Sequence, residues 1–241
     1  MALQQGAGLV RPGFDKRALL RDHPIFGVLG PELLDRLSSH AIPQKFKQGA
    51  TIFSKGDPGT CLFAVCQGTV KIGAPSADGR DAVFSLLGEG AIFGEIALLE
   101  GCPRTADAMA MTDCELMVID RRDFVPLVHS NPEIVLKLLG VLCARLRRTT
   151  EQLEDVMFLD LPGRLAKTLV RLAEGAKPSA AGRKIVITQR ELGQIIGMSR
   201  ESTNKQLRSW ERRNWIRLER GGIVVLAPDE LAELADAIGS E

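Results

Sequence analysis

The sequence predicts an α+β chain in three stretches: an all-β front, one long helix, and a small helical back end closed by a hairpin. Three observations point to this. Between Ala41 and Asp120 short apolar runs recur between turn signals. From Pro132 to about Phe158 apolar residues repeat at helical spacing, with Gly140 the one glycine. After Leu161 the chain turns basic. The boundaries are placed at residues 1–130, 131–160 and 161–241. A chain of 241 residues is long enough for two modest domains, each with its own core.

Residues 1–20 read as a loose arm with a short helix near Lys16–Leu20, and "GPELLDRLSSHA" reads as a helix with Leu33, Leu34 and Leu37 on one face. The runs "TCLFAVCQ", "TVKIGA", "DAVFSLL" and "CELMVID" are separated by "QG", "SADG" and "GEG", the close spacing of about eight antiparallel strands in a sandwich or barrel. Asn131-Pro132 opens the long helix, since proline suits a first helical position. Along it Val135, Leu139, Leu142, Leu146, Leu153 and Val156 follow a heptad spacing whose missing member is Thr149. That pattern fits a dimerising seam, or a helix packed on its own domain. Pro162-Gly163 is read as a break and hinge, "KPSAAGR" as a loop and "KIVIT" as a strand.

Charge is distributed unevenly. From Leu161 to Ala227 there are 14 Lys and Arg against five Asp and Glu, while the first 160 residues carry 17 against 20. A basic back half suits a polyanion or a merely solvated face. "TQRELGQIIGMSRESTNKQLRSWERR" has the form of a helix-turn-helix, the other reading being a small helical domain with a charged exterior. Thr188 and Glu191 form a capping box, Leu192, Ile195 and Ile196 an apolar face, and Gly197 the turn. Ser199 caps a second helix that turns Leu207 and Trp210 inward and Arg200, Glu201, Asn204, Lys205 and Arg208 outward. Arg200 and Lys205 can donate to guanine and Glu201 can accept from cytosine, while Gln189, Arg190 and Arg208 suit phosphates. "WIRLERGGIVVLAP" reads as a wing closed by Gly221-Gly222.

"FGEIALLEGCPRTADA", residues 93–108, is the other informative stretch. It can be a strand, a turn and one surface ion pair, or a cradle for a small anion carrying a sugar. Gly94 would let the backbone approach closely, and the first amides of "EIALL", those of Glu95, Ile96 and Ala97, favour an anion. Arg104 adds a fork matched to phosphate oxygens and Thr105 a hydroxyl donor. Glu95 would be repelled by phosphate, so its partner is a neutral donor such as a sugar hydroxyl. A surface Glu95–Arg104 bridge would contribute only about 0–1 kcal/mol and would explain neither Gly94 nor Thr105.

Together these motifs resemble the bacterial cAMP receptor protein (catabolite activator) family of the Crp-Fnr superfamily, over about Phe26–Ala227. The resemblance implies a jelly-roll β-roll that binds a cyclic nucleotide, a dimerisation helix and a winged helix-turn-helix. It implies a homodimeric regulator that binds double-stranded DNA, with RNA polymerase as a further partner. By the same resemblance Glu95 would meet the ribose 2′-hydroxyl, and Arg104 and Thr105 the cyclic phosphate. Thr149 would meet the base and Thr150 the ligand of the other subunit. Arg200, Glu201 and Lys205 would read a palindromic site with TGTGA-like half-sites. Lys205 stands where the family usually has arginine, which would relax discrimination at that base pair.

cAMP is the expected ligand, with cGMP or dual specificity as the alternative, because an Arg-Thr pair also resembles eukaryotic cassettes that favour cGMP. A ligand-independent or redox-sensing regulator of the same superfamily is the other alternative. Cys61, Cys66, Cys102, Cys114 and Cys143 lack cluster spacing, and no metal site can be drawn from them and three histidines. No nucleophile–base pair or P-loop suggests an enzyme. With no signal peptide or membrane span in view, the expected location is the cytoplasm.

Overall fold

The structure is a computed structural model that describes residues 15–75, 81–174, 176, 178–179 and 182–236. The expected arm before Asp15 and the "SADG" turn lie outside the described residues. The chain divides into two compact units, residues 1–145 and 146–241.

In the first unit, helices α1 (Lys16–Asp22) and α2 (Pro31–His40) flank a 3-10 turn at Phe26–Val28 and precede eight strands. These are β1 (Ile42–Phe46), β2 (Thr51–Phe53), β3 (Cys61–Gln67), β4 (Val70–Pro75), β5 (Asp81–Leu87), β6 (Ile92–Phe93), β7 (Asp107–Ala110) and β8 (Cys114–Asp120). They form two four-stranded antiparallel sheets, in the orders β1-β8-β3-β6 and β2-β7-β4-β5. Ile52, Phe63, Val70, Phe93, Leu116 and Val118 fill the space where the sheets pack. The other face of the first sheet presents Leu62, Ala64, Met117 and Ile119 to Phe26, Leu34, Leu37 and Phe124. Strands β3 and β8 are therefore covered on both sides, which is why "CLFAV" and "LMVI" read as unbroken apolar runs rather than alternating ones.

Helix α3 (Glu95–Glu100) interrupts the strands between β6 and β7, as expected from "EIALL". Helix α4 (Arg121–Ser130) is an element the sequence reading missed. Pro126 sits inside it and reads as a breaker, yet Phe124 and Leu127 fix the helix by burial in the core. Helix α5 (Pro132–Phe158) begins at the expected proline. Its buried residues are Ile134 and Leu138, neither belonging to the heptad seam. Leu139, Leu146, Leu153 and Val156 are exposed in the chain, so the seam is not the face that packs on its own domain.

His23 is buried against Phe26, with ring centroids 4.9 Å apart, and its Nδ1 accepts the Ile25 amide at 3.2 Å. Burial pushes its pKa from 6.5 down to about 4. An unfolded chain therefore binds a proton through this window and the folded one does not. Stability is fully present above pH 6.5 and is lost as the pH falls toward about 4. The loss from this group amounts to at most about 3 kcal/mol. Urea melts between those pH values are expected to show it, and His23→Asn, whose amide oxygen can still accept from Ile25, is expected to flatten that slope.

The second unit holds the end of α5, then α6 (Leu161–Glu174), β9 (Pro178–Ser179), β10 (Gly182–Ile185), α7 (Gln189–Ile196), α8 (Arg200–Arg212), β11 (Ile216–Glu219), β12 (Gly222–Val225) and α9 (Pro228–Asp236). The four strands form one sheet in the order β11-β12-β10-β9. Leu165, Leu169, Leu192, Leu207, Trp210 and Leu231 are fully buried. The break after α5 falls at Leu159–Asp160, ahead of the expected Pro162-Gly163. Pro162 is the second residue of α6, where a missing N–H costs nothing, and the Asp160 carboxylate accepts the Gly163 amide at 2.8 Å. Among the described residues no single helix is long and apolar enough to cross a membrane.

Candidate ligand cradle and DNA-reading unit

Strand β6 ends at Gly94, whose φ of +82° suits glycine and turns the chain into α3. A Cβ there would lie 2.5 Å from Arg104 Nη1, so the position excludes side chains on two grounds. The Glu95, Ile96 and Ala97 amides lead the helix, ahead of the Leu98 amide that bonds back to Gly94 O. Ala97 is buried where Gly59 crosses it, a crossing so close that a Gly59 Cβ would stand 2.4 Å from Ala97 Cβ. Ile96 and Thr105 are exposed.

Glu95 is 1% exposed and Arg104 4%. They do not form the surface pair weighed from the sequence. Glu95 Oε1 is paired with Arg145 of α5, whose other terminal nitrogen donates to Ile92 O. Glu95 Oε2 is buried with no hydrogen-bond partner among the described residues. Arg104 donates from Nη1 to Gly94 O at 2.8 Å and from Nη2 to Cys61 O at 2.7 Å, and its Nε is buried without a partner among the described residues. The guanidinium lies 4.3 Å from the centroid of Phe53, which packs with Phe63 and Phe93. Arg104 thus holds the glycine turn in shape besides offering positive charge.

The sequence reading missed Arg145. It continues the buried stripe of α5, seven residues beyond Leu138 and eleven beyond Ile134. A cation on an apolar stripe signals a buried acid, and Glu95 is that acid. Thr149 and Thr150 belong to the second unit; both are exposed, and the Thr150 hydroxyl donates to Leu146 O at 3.1 Å. Among the described residues no group of three or more His, Cys, Asp or Glu side chains is placed to hold a metal ion.

In the second unit the expected capping box is present: Thr188 Oγ1 accepts the Glu191 amide and Glu191 Oε2 the Thr188 amide. Gly197 ends α7 at φ +73°, and Ser199 Oγ caps α8 by accepting the Ser202 amide at 3.1 Å. The two helices meet at Gly193, where a Cβ would lie 2.8 Å from Met198 O and 2.9 Å from Thr203 Oγ1. Gly193→Ala is expected to lower the stability of this unit by about 1–3 kcal/mol through overpacking. Both tryptophans of the chain, Trp210 and Trp215, lie in this unit, so fluorescence melting reads the loss.

Arg200, Glu201, Lys205 and Arg208 are exposed on one side of α8, with Arg208 Nε on Asn204 Oδ1 at 3.3 Å. Ser199 and Arg190 are exposed and Gln189 half-buried. The wing turns at Arg220-Gly221, one residue before the expected Gly221-Gly222, because Gly222 already pairs with Glu219. Strand β10 likewise ends at Ile185, since its last partner is Ile223 and Val186 points into solvent on the way to the Thr188 cap.

Residues 43–131 match the cyclic nucleotide-binding domain family and residues 163–234 the Crp-like helix-turn-helix domain family. A CRP-like cAMP-activated global transcriptional regulator of Mycobacterium tuberculosis is 36% identical over 214 residues, 88% of this chain and 96% of that protein. The cAMP-activated global transcriptional regulator CRP of Haemophilus influenzae is 34% identical over 198 residues, 80% of this chain and 88% of that one. Among solved structures, the c-di-GMP responsive global regulator CLP of Xanthomonas campestris superposes with a TM-score of 0.72 at 25% identity. That match covers 81% of this chain and 99% of CLP.

A cyclic nucleotide-binding unit joined to a DNA-binding helix-turn-helix defines a cyclic-nucleotide-binding transcription regulator, not an enzyme. The chain belongs to the Crp family of the Crp/Fnr superfamily.

Proposed function

We propose that this chain acts as a homodimer in which cAMP, held at the Gly94–Thr105 cradle, raises affinity for a palindromic DNA site with TGTGA-like half-sites. The observation that carries the reading is Glu95: a buried carboxylate with one oxygen on Arg145 and the other without a partner among the described residues. Burying such an acceptor unpaired costs about 1–3 kcal/mol, and a ligand hydroxyl donor removes that cost. A ribose 2′-hydroxyl is such a donor. Arg104 Nε and the leading α3 amides supply donors for the cyclic phosphate beside it, with Thr105 as a further hydroxyl.

The exposed heptad face of α5 supports a paired helix, and the family resemblance brings the base to Thr149 and the second subunit's ligand to Thr150. Ligand would then favour one seam packing and reorient the reading helices through the Leu159–Asp160 break. Arg200, Glu201 and Lys205 would read bases, and Gln189, Arg190, Ser199, Asn204 and Arg208 would hold backbone or neighbouring edges. RNA polymerase is the further partner this reading adds.

Calorimetric titration with cAMP and with cGMP, on the wild type and on Thr105→Ala, tests the ligand; anisotropy on a palindromic duplex with and without nucleotide tests the coupling. A preference for cGMP that vanishes in Thr105→Ala moves the ligand to cGMP. No binding of either nucleotide, or DNA affinity indifferent to both, refutes the gating.

A further inference from the structure

An open cleft of about 470 Å³ lies in the second unit between the start of α7, the N-terminal end of α8 and the wing. Gln189, Arg190, Arg200, Glu219 and Gly221 are among its walls. Arg200 opens the helix whose N-terminal end enters a major groove in this motif, so the cleft flanks the path of a sugar-phosphate strand. A carboxylate there opposes a polyanion.

The roles of the neighbouring acids sharpen the question. Glu191 is used in the capping box, and Glu211 accepts the Leu218 amide at 2.8 Å and so ties α8 to the wing. Glu219 instead holds two cations: Lys184 Nζ stands 2.6 Å from Oε2 and Arg217 Nη2 3.1 Å from Oε1. All three side chains are between about a third and a half exposed, so solvent reaches them.

We propose that Glu219 sets the sequence-independent affinity of the DNA interface, by keeping Lys184 and Arg217 in ion pairs and withholding them from phosphates. Sequence-independent affinity comes almost wholly from such cations, while base discrimination comes from α8. An acid that withholds such cations lowers affinity for every duplex, specific or not, and flattens its salt dependence. The inference rests on the helix-turn-helix assignment and not on the proposed nucleotide, so failure of the gating leaves it standing.

The test uses the full chain, a duplex of scrambled sequence and a salt series read by anisotropy. Glu219→Gln is expected to bind the scrambled duplex about fivefold tighter at low salt. Its plot of log affinity against log salt is expected to steepen by about 0.9 for each released cation. Adding Lys184→Gln and Arg217→Gln to that variant is expected to restore the wild-type slope. Tryptophan-fluorescence melting runs alongside. Unchanged affinity and slope in Glu219→Gln overturn the proposal. So does weaker binding with a lowered melting temperature, which makes Glu219 a brace of the wing only.

Discussion

Arg104→Leu is expected to abolish cyclic-nucleotide binding and to lower the stability of the first unit by about 3 kcal/mol, because one side chain does two jobs. Its guanidinium donates to the carbonyls of Gly94 and Cys61, which are far apart in sequence, the first part-buried and the second buried. A hydrogen bond from a charged donor contributes about 1.5–3 kcal/mol, and a buried carbonyl left unpaired loses a similar amount. Leucine restores apolar contact with Phe53 but donates to neither oxygen; Gly94 O keeps only the long Leu98 amide bond, so part of the loss is recovered and the glycine turn slackens. Arg104→Lys separates the two jobs. One ammonium can reach one carbonyl, so this variant is expected to fold with roughly half the deficit and still bind nucleotide poorly, because lysine has no counterpart of the Nε donor. Urea denaturation followed by far-UV circular dichroism measures the first effect and calorimetry the second. Leucine at full wild-type stability would show that the carbonyl ties are dispensable and that Arg104 serves the ligand alone.

The local geometry of the candidate cradle, the glycine turn into α3 and the burial of Glu95 and Arg104 beside it, was legible in the sequence to the extent that its chemistry is local. Gly94, Glu95 and the first amides of α3 are neighbours in the chain, and their residue types state what they can accept or donate. What the sequence did not show is where each charge is neutralised. Glu95 is held by Arg145, fifty residues away, and Arg104 points its terminal nitrogens into backbone carbonyls that carry no mark in the sequence. The strands were read well because turns separate them, and β3 and β8 because double burial makes continuous apolar runs. Elements whose local signal opposes their tertiary fate were not. Pro126 hides α4, and Pro162-Gly163 reads as a stop although it begins α6. In the sheet of the second unit the expected "KPSAAGR" loop holds β9 (Pro178–Ser179) and the start of β10 at Gly182. β-branched Val186 extends the pattern of β10, but pairing ends where Ile185 meets Ile223.

The dimer seam proposed along α5 sets the other large effect. Leu146 is 69% exposed and Leu153 59%, and neither contributes to the core of its own unit. The double substitution Leu146→Lys and Leu153→Lys is therefore expected to leave the melting of both units almost unchanged while sedimentation shows a monomer. Each buried leucine of a seam contributes about 1.5–3 kcal/mol, and four are lost per dimer, besides the repulsion of four lysines. A palindromic duplex would then be held by one reading helix instead of two, and affinity is expected to fall about a hundredfold or more through lost avidity. Thr149 is the converse case, a hydroxyl at a heptad position that packing alone would fill with an aliphatic residue. Thr149→Leu is expected to tighten the dimer and to uncouple DNA affinity from nucleotide, since the seam no longer has a position at which ligand can favour one packing over another. Tighter pairing with the nucleotide response intact would assign Thr149 to neither the base nor the switch, and would leave gating to the cradle and the break after Phe158.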